Sequence, residues 1–173
     1  SIALPLSVGY SSQCEILEFV LLDGVSRDEV AGRLTAVMPE GIIVHSCYPA
    51  ERKLKELSYV NYIINMEYEE GRPQETETAL KALLNRESLI VRKKSKKAKA
   101  GFTEVDLIPL IQSWNIQCQR DTMTLSAELR AQNPGLNPEL IRAAFCQAYP
   151  ELAPDFVTFH RREVLDADGK PFR

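Results

Sequence analysis

The 173-residue chain has two histidines, one tryptophan and four cysteines, and none of them falls in a spacing that builds a familiar site. No two of Cys14, Cys47, Cys118 and Cys146 form a CxxC pair. His45 and Cys47 are two residues apart, which puts both on one face of a strand. A structural zinc site needs about four ligands, so two do not make one and no metal is expected. The cysteines read as free, mostly buried thiols of a reducing cytoplasm. No glycine-rich phosphate loop is present, and neither His45 nor His160 lies in a nucleophile or triad motif. No catalytic residue is therefore predicted. No apolar run approaches the roughly 20 residues needed to cross a bilayer, and the N-terminus lacks the basic, apolar and cleavage regions of a signal peptide. The chain opens on Ser1 within an apolar segment, SIALPLSVG, and reads as a fragment or a processed product.

What the sequence does have is a cationic run on an acidic protein. Net charge is −3, yet Arg86, Arg92, Lys93, Lys94, Lys96, Lys97 and Lys99 fall within one short stretch whose only carboxylate is Glu87. The rest of the chain is correspondingly acidic. A concentrated positive patch on such a background points to a polyanionic partner, nucleic acid first among them. With 45% apolar residues, the chain has the composition of a globular protein with its own core.

Residues Cys14 to Asp23, CEILEFVLLD, read as a strand apolar on both faces and ending at an Asp-Gly turn. Ser26 and Glu29 form a capping box, with Val25 and Val30 as its staple. Val30, Leu34, Val37 and Met38 follow at helical spacing, and Pro39 and Gly41 stop the helix. Gly41 to Tyr48 is the next strand. Tyr59 to Tyr68 alternates, with Val60, Tyr62, Ile64 and Met66 on the core side. Pro73 starts a helix whose stripe is Ala79, Leu80, Leu83 and Leu84. Ser88 to Arg92 is extended. This order, β-α-β-β-α-β, predicts an α+β protein with a ferredoxin-like core over about 14–94 and a C-terminal β/α extension over about 101–165. All 173 residues form one domain in this reading.

In the extension, Thr103 to Ile111 is extended, Thr122 to Leu129 alternates strictly, and Asn137-Pro138-Glu139 caps a helix carrying Ile141, Phe145 and Ala148. Phe156 to Phe159 closes as a strand.

Two stretches resemble a known family. Ala3-Leu4-Pro5-Leu6-Ser7-Val8-Gly9 before the strand at Glu15 is one. The other is Arg92-Lys93-Lys94-Ser95-Lys96-Lys97, then Gly101, Val105-Asp106 and Pro109-Leu110-Ile111. With His160-Arg161 near the end, they resemble the radical-SAM-linked protein family, a domain of unknown function found fused to or encoded beside radical-SAM proteins. The resemblance implies an accessory domain in RNA metabolism, with tRNA modification as one setting. It implies a radical-SAM partner domain, in cis or in trans, that carries a [4Fe-4S] cluster and S-adenosylmethionine. This chain has no CxxxCxxC motif and no cofactor of its own, so it is not that catalyst. It lacks the upstream helical segment usual in the family and has Ile108 where an arginine is expected.

The phosphate-contacting set is therefore Arg92, Lys93, Lys94, Lys96, Lys97 and Lys99, joined by Tyr59, on the polar strand face as a stacking residue, and by Arg161. A second reading makes the lysines a solvated loop that discourages edge pairing, the domain then being a module that docks a radical-SAM protein without binding RNA. A third is an enzyme acting on a small anionic substrate, with Asp106 as a general base. Against that, Asp106 is explained as an ion-pair partner for Arg92 or Lys94.

Overall fold

Strand β2, Tyr59–Glu67, carries the alternation that the sequence predicts: Val60, Tyr62, Ile64 and Met66 are buried and the residues between them are not. The computed structural model describes residues 1–22, 24–94 and 101–173. β6, Thr122–Arg130, has the same pattern, with Met123, Leu125, Ala127 and Leu129 inside. The two strands pair antiparallel, Tyr62 opposite Ala127 and Ile64 opposite Leu125. Their apolar rows therefore join into one surface, as period-2 side chains on paired strands must.

β7, Phe156–Leu165, pairs antiparallel with the other side of β2, and β5, Ile111–Cys118, pairs antiparallel with β6. A two-residue strand, β1 at Ser11–Ser12, runs parallel to β7 at the edge. The sheet order is β1-β7-β2-β6-β5. Helices α2, Pro73–Leu84, and α3, Glu139–Ala148, cover one face. Leu80 and Leu83 of α2, and Ile141 and Phe145 of α3, join Ile64, Met66 and Leu125 in a single buried cluster. Asn137 Oδ1 accepts from the Glu139 amide at 2.9 Å and so caps α3, as its sequence predicts. The opposite face carries Asn61, Ile63 and Asn65 of β2, all half-buried.

The expected arrangement over 14–94 is corrected. Cys14 to Leu22 and Gly41 to Tyr48 form no strand, apart from an isolated bridge between Ile2 and Leu17. Val20 is 93% exposed and Leu22 82%. A strand apolar on both faces needs a cover on each side; here Cys14 and Ile16 pack against the core while Val20 and Leu22 face solvent. Helix α1, Arg27–Val37, lies between these segments with Val30 as its one buried residue, and Ser26 makes no side-chain cap bond.

Ser88 to Arg92 does not enter the main sheet either. β3, Ile90–Lys94, pairs only with β4, Phe102–Asp106, as a separate two-stranded ribbon. The edge position beside β6 is taken by β5. The extended reading of Thr103 to Ile111 breaks at Pro109, inside a 3-10 turn at Ile108–Leu110, because proline cannot donate to a ladder. The residues assigned to an extension thus supply three of the four long strands of the main sheet.

Candidate nucleic-acid interface

The β3–β4 ribbon is anchored at its base. Leu89 and Leu107 are buried, and the Leu107 amide donates to the Leu89 carbonyl at 3.0 Å. Asp106 Oδ1 accepts from the amides of Leu89 at 2.8 Å and Ile108 at 3.2 Å. These bonds, that from Leu89 foremost, hold the Asp106 carboxyl below the usual carboxylate range. Asp106 therefore bonds to backbone, while Arg92, one of the partners expected for it, lies by Glu104; the Lys94 side chain lies outside the described residues. It is a clamp for the ribbon, and its one bonded oxygen is already engaged by two amides.

Beyond the clamp the ribbon is exposed. Arg92 lies opposite Glu104 and Lys93 opposite Thr103, so successive cations point to opposite faces. Arg92 Nε is 3.7 Å from Glu104 Oε1 with both side chains largely exposed, a pair of small energetic weight. The Arg92 guanidinium also sits 4.7 Å from the centroid of the Phe102 ring, and Phe102 is 37% exposed. The backbone of Lys94 pairs with Phe102. Lys96, Lys97 and Lys99 lie outside the described residues.

Tyr59 opens β2 on its open face, between Arg130 and Leu165, half-buried. The strand that follows the ribbon, β5, starts opposite Leu129, so the ribbon base and Tyr59 are at the same end of the sheet. The structure takes Arg161 out of the expected set. It is 4% exposed, on the helix face of β7. Its guanidinium donates to Glu15 at 2.8 and 3.0 Å, to the Leu4 carbonyl at 2.8 Å and to Tyr62 Oη at 3.1 Å. It fastens the N-terminal segment to the sheet. The signal for this was an arginine between the apolar Phe159 and Val164 of a strand.

Two arrangements escaped sequence reading because they depend on tertiary register. Ser11 Oγ lies 2.8 Å from His160 Nδ1, across the β1–β7 pair. On the open face, Gln13, Asn61, Glu128, Arg162, Glu163 and Leu165 line a depression of about 400 Å³. His45 and Cys47 lie in the irregular segment after α1. Among the described residues no three His, Cys, Asp or Glu side chains gather to hold a metal ion, and no helix is long and apolar enough to cross a membrane.

These features define a mixed α/β protein with a five-stranded sheet, helices packed on one face and a cationic ribbon at one end. The family described as an uncharacterized protein conserved in bacteria (DUF2344) matches residues 1–138, and the chain belongs to it. Comparison with curated proteins and with solved structures returned no match.

Proposed function

We propose that this protein binds RNA, and that the β3–β4 ribbon with the lysines following it is the phosphate-contacting element. The observation that carries the reading is the ribbon itself. Arg92 and Lys93 are exposed on a strand pair that packs only at its base, beside an exposed aromatic ring. Such a ribbon offers cations to a phosphate backbone and one ring to a base. In the same reading Tyr59 stacks at the sheet end, and the domain serves, in the cytoplasm, as a non-catalytic accessory to a radical-SAM enzyme that modifies RNA, tRNA being the first substrate to test. The radical-SAM link is supported by the sequence resemblance. The order β2-α2-β5-β6-α3-β7, with β7-β2-β6-β5 all antiparallel, supports a ferredoxin-like core placed later in the chain than its sequence suggests.

Fluorescence anisotropy with labelled tRNA and with a single-stranded oligonucleotide tests this. Binding should weaken with salt, log K falling by about 0.7 per log unit for each phosphate contacted on a single strand. Lys93→Glu/Lys96→Glu/Lys97→Glu should abolish it with the thermal transition unchanged. Undiminished affinity in the triple variant, or no binding by the parent at about 50 mM salt, sinks the proposal.

A docking role without RNA is favoured by one observation, the exposed apolar side chains of Val20, Leu22 and Ile43. The enzyme reading has no comparable support, because Asp106 is engaged with the ribbon's own backbone.

A further inference from the structure

The depression on the open sheet face is built by a bulge. Asn61 of β2 lies opposite Glu128 of β6 on one side and Glu163 of β7 on the other. The next residue, Tyr62, lies opposite Arg161, so Arg162 is the extra residue of β7. This slip sends Arg161 into the core with Tyr62 and leaves Arg162 exposed at the depression. Bulges re-aim side chains in this way and are over-represented beside functional sites. Gln13 closes the rim, its Nε2 donating to the Arg162 carbonyl at 3.1 Å.

The polar groups here are not used up. Asn61 Oδ1 is cut off from solvent and accepts no hydrogen bond from any described residue. A buried acceptor left so is destabilising until a donor reaches it. Glu163 is paired with Arg173 at 2.8 Å. Among the described residues Glu128 and Arg162 have no ion-pair partner. The depression therefore presents a carboxylate acceptor, Glu128, on one side and a forked donor, Arg162, on the other. β6 and β7 are two strand spacings apart, about 9.5 Å, which leaves room between the two sides for one planar ring system.

We infer that this depression holds a guanine base. Guanine offers acceptors O6 and N7 on one edge, the pair that an arginine fork matches. On another edge it offers N1–H and the N2 amino group, which a carboxylate accepts side by side. Adenine turns a bare N1 acceptor toward Glu128 and is repelled, and a pyrimidine lacks the O6/N7 pair. Single-stranded RNA is read on these base edges once its bases are unstacked. The site deepens the RNA-binding reading by giving it a base preference, and it rests on that reading only for how the base is delivered.

The test uses the full chain with two kinds of probe. In an NMR titration, guanosine 5′-monophosphate should shift the Asn61 side-chain amide and adenosine 5′-monophosphate should not. In anisotropy, an all-adenine octamer is compared with one carrying a single guanine. The guanine octamer should bind about 5- to 150-fold tighter, the discrimination of one good bidentate pair. Glu128→Ala and, separately, Arg162→Ala should remove that preference, read for each variant as its guanine-octamer affinity relative to its own all-adenine affinity. Both are surface changes, and thermal melting of each confirms folding. Equal affinity for the two octamers overturns the guanine site and leaves the ribbon proposal standing. Guanosine binding without binding of either octamer does the reverse. A preference that survives both substitutions overturns the site as located here.

Discussion

Asp106 ties the ribbon to pH. Its carboxylate accepts from the Leu89 and Ile108 amides, and its pKa is held below the ordinary 3.8. Asp166 is alike: the amides of Lys170 and Asp168 lower it, with Arg52 at 3.1 Å. For a depressed carboxylate the stabilisation is present above the unfolded value and is lost as pH falls through the folded one. Stability should therefore decline below about pH 3.8. Asp106→Asn should flatten part of that decline, and the Leu89 and Ile108 amides should exchange faster at neutral pH, where the charge that strengthens both bonds is gone. Hydrogen exchange across a pH series measures both effects. A second residue-scale test concerns Arg161, a buried cation with one carboxylate partner. Glu15→Gln keeps the shape and removes the charge. Hydrogen bonds to charged groups contribute about 1.5–3 kcal/mol, so urea unfolding should show a loss of that order.

At the scale of elements, the strands that obeyed their pattern are those with a partner on each side. β2 and β6 alternate, and each is flanked by antiparallel neighbours. β5 carried a readable signal too, with Trp114, Ile116 and Cys118 two apart, but the proline before it drew the strand boundary to the wrong side. Cys118 itself meets the Pro73 carbonyl at 3.3 Å, and burial pushes its thiol up to about 11, so it stays protonated at neutral pH. Cys14 to Leu22 had the stronger apolar signal and formed no ladder. The ribbon's separation from the main sheet was not readable either, since Ile90 and Val91 look like any strand start. Only the pairing of Val91 with Val105 and the exposure of Ile90 show that one side of the ribbon faces water.

Across the whole molecule, burial is uneven. The core joins the sheet to α2 and α3, while the region before Tyr59 contributes Val30 and Leu57 as its fully buried apolar residues. Regions with few buried contacts open at lower free energy than the core. Apart from the bonded amides of Glu18, Ile42 and Val44, amides of Glu15–Leu22 and Gly41–Tyr48 should exchange close to their unprotected rates, while those of β2 and β6 exchange only with global unfolding. Exchange followed by mass spectrometry decides this, and strong protection of both early segments would show that a cover exists for them.

The sequence by itself determined what depends on local chemistry. The alternation of β2 and β6, the proline and asparagine starts of α2 and α3, the core placement of Tyr62, and the charge of the Arg92–Lys99 run are each written in neighbouring residues. Tertiary structure decided which strands meet. Register is a relation between distant segments, and a slip of one residue reverses every side chain. That is why single strands were legible but their partners were not, why Arg161 is inside and Arg162 outside, and why a depression assembled from residues as far apart as Gln13 and Leu165 left no mark in any one stretch of chain.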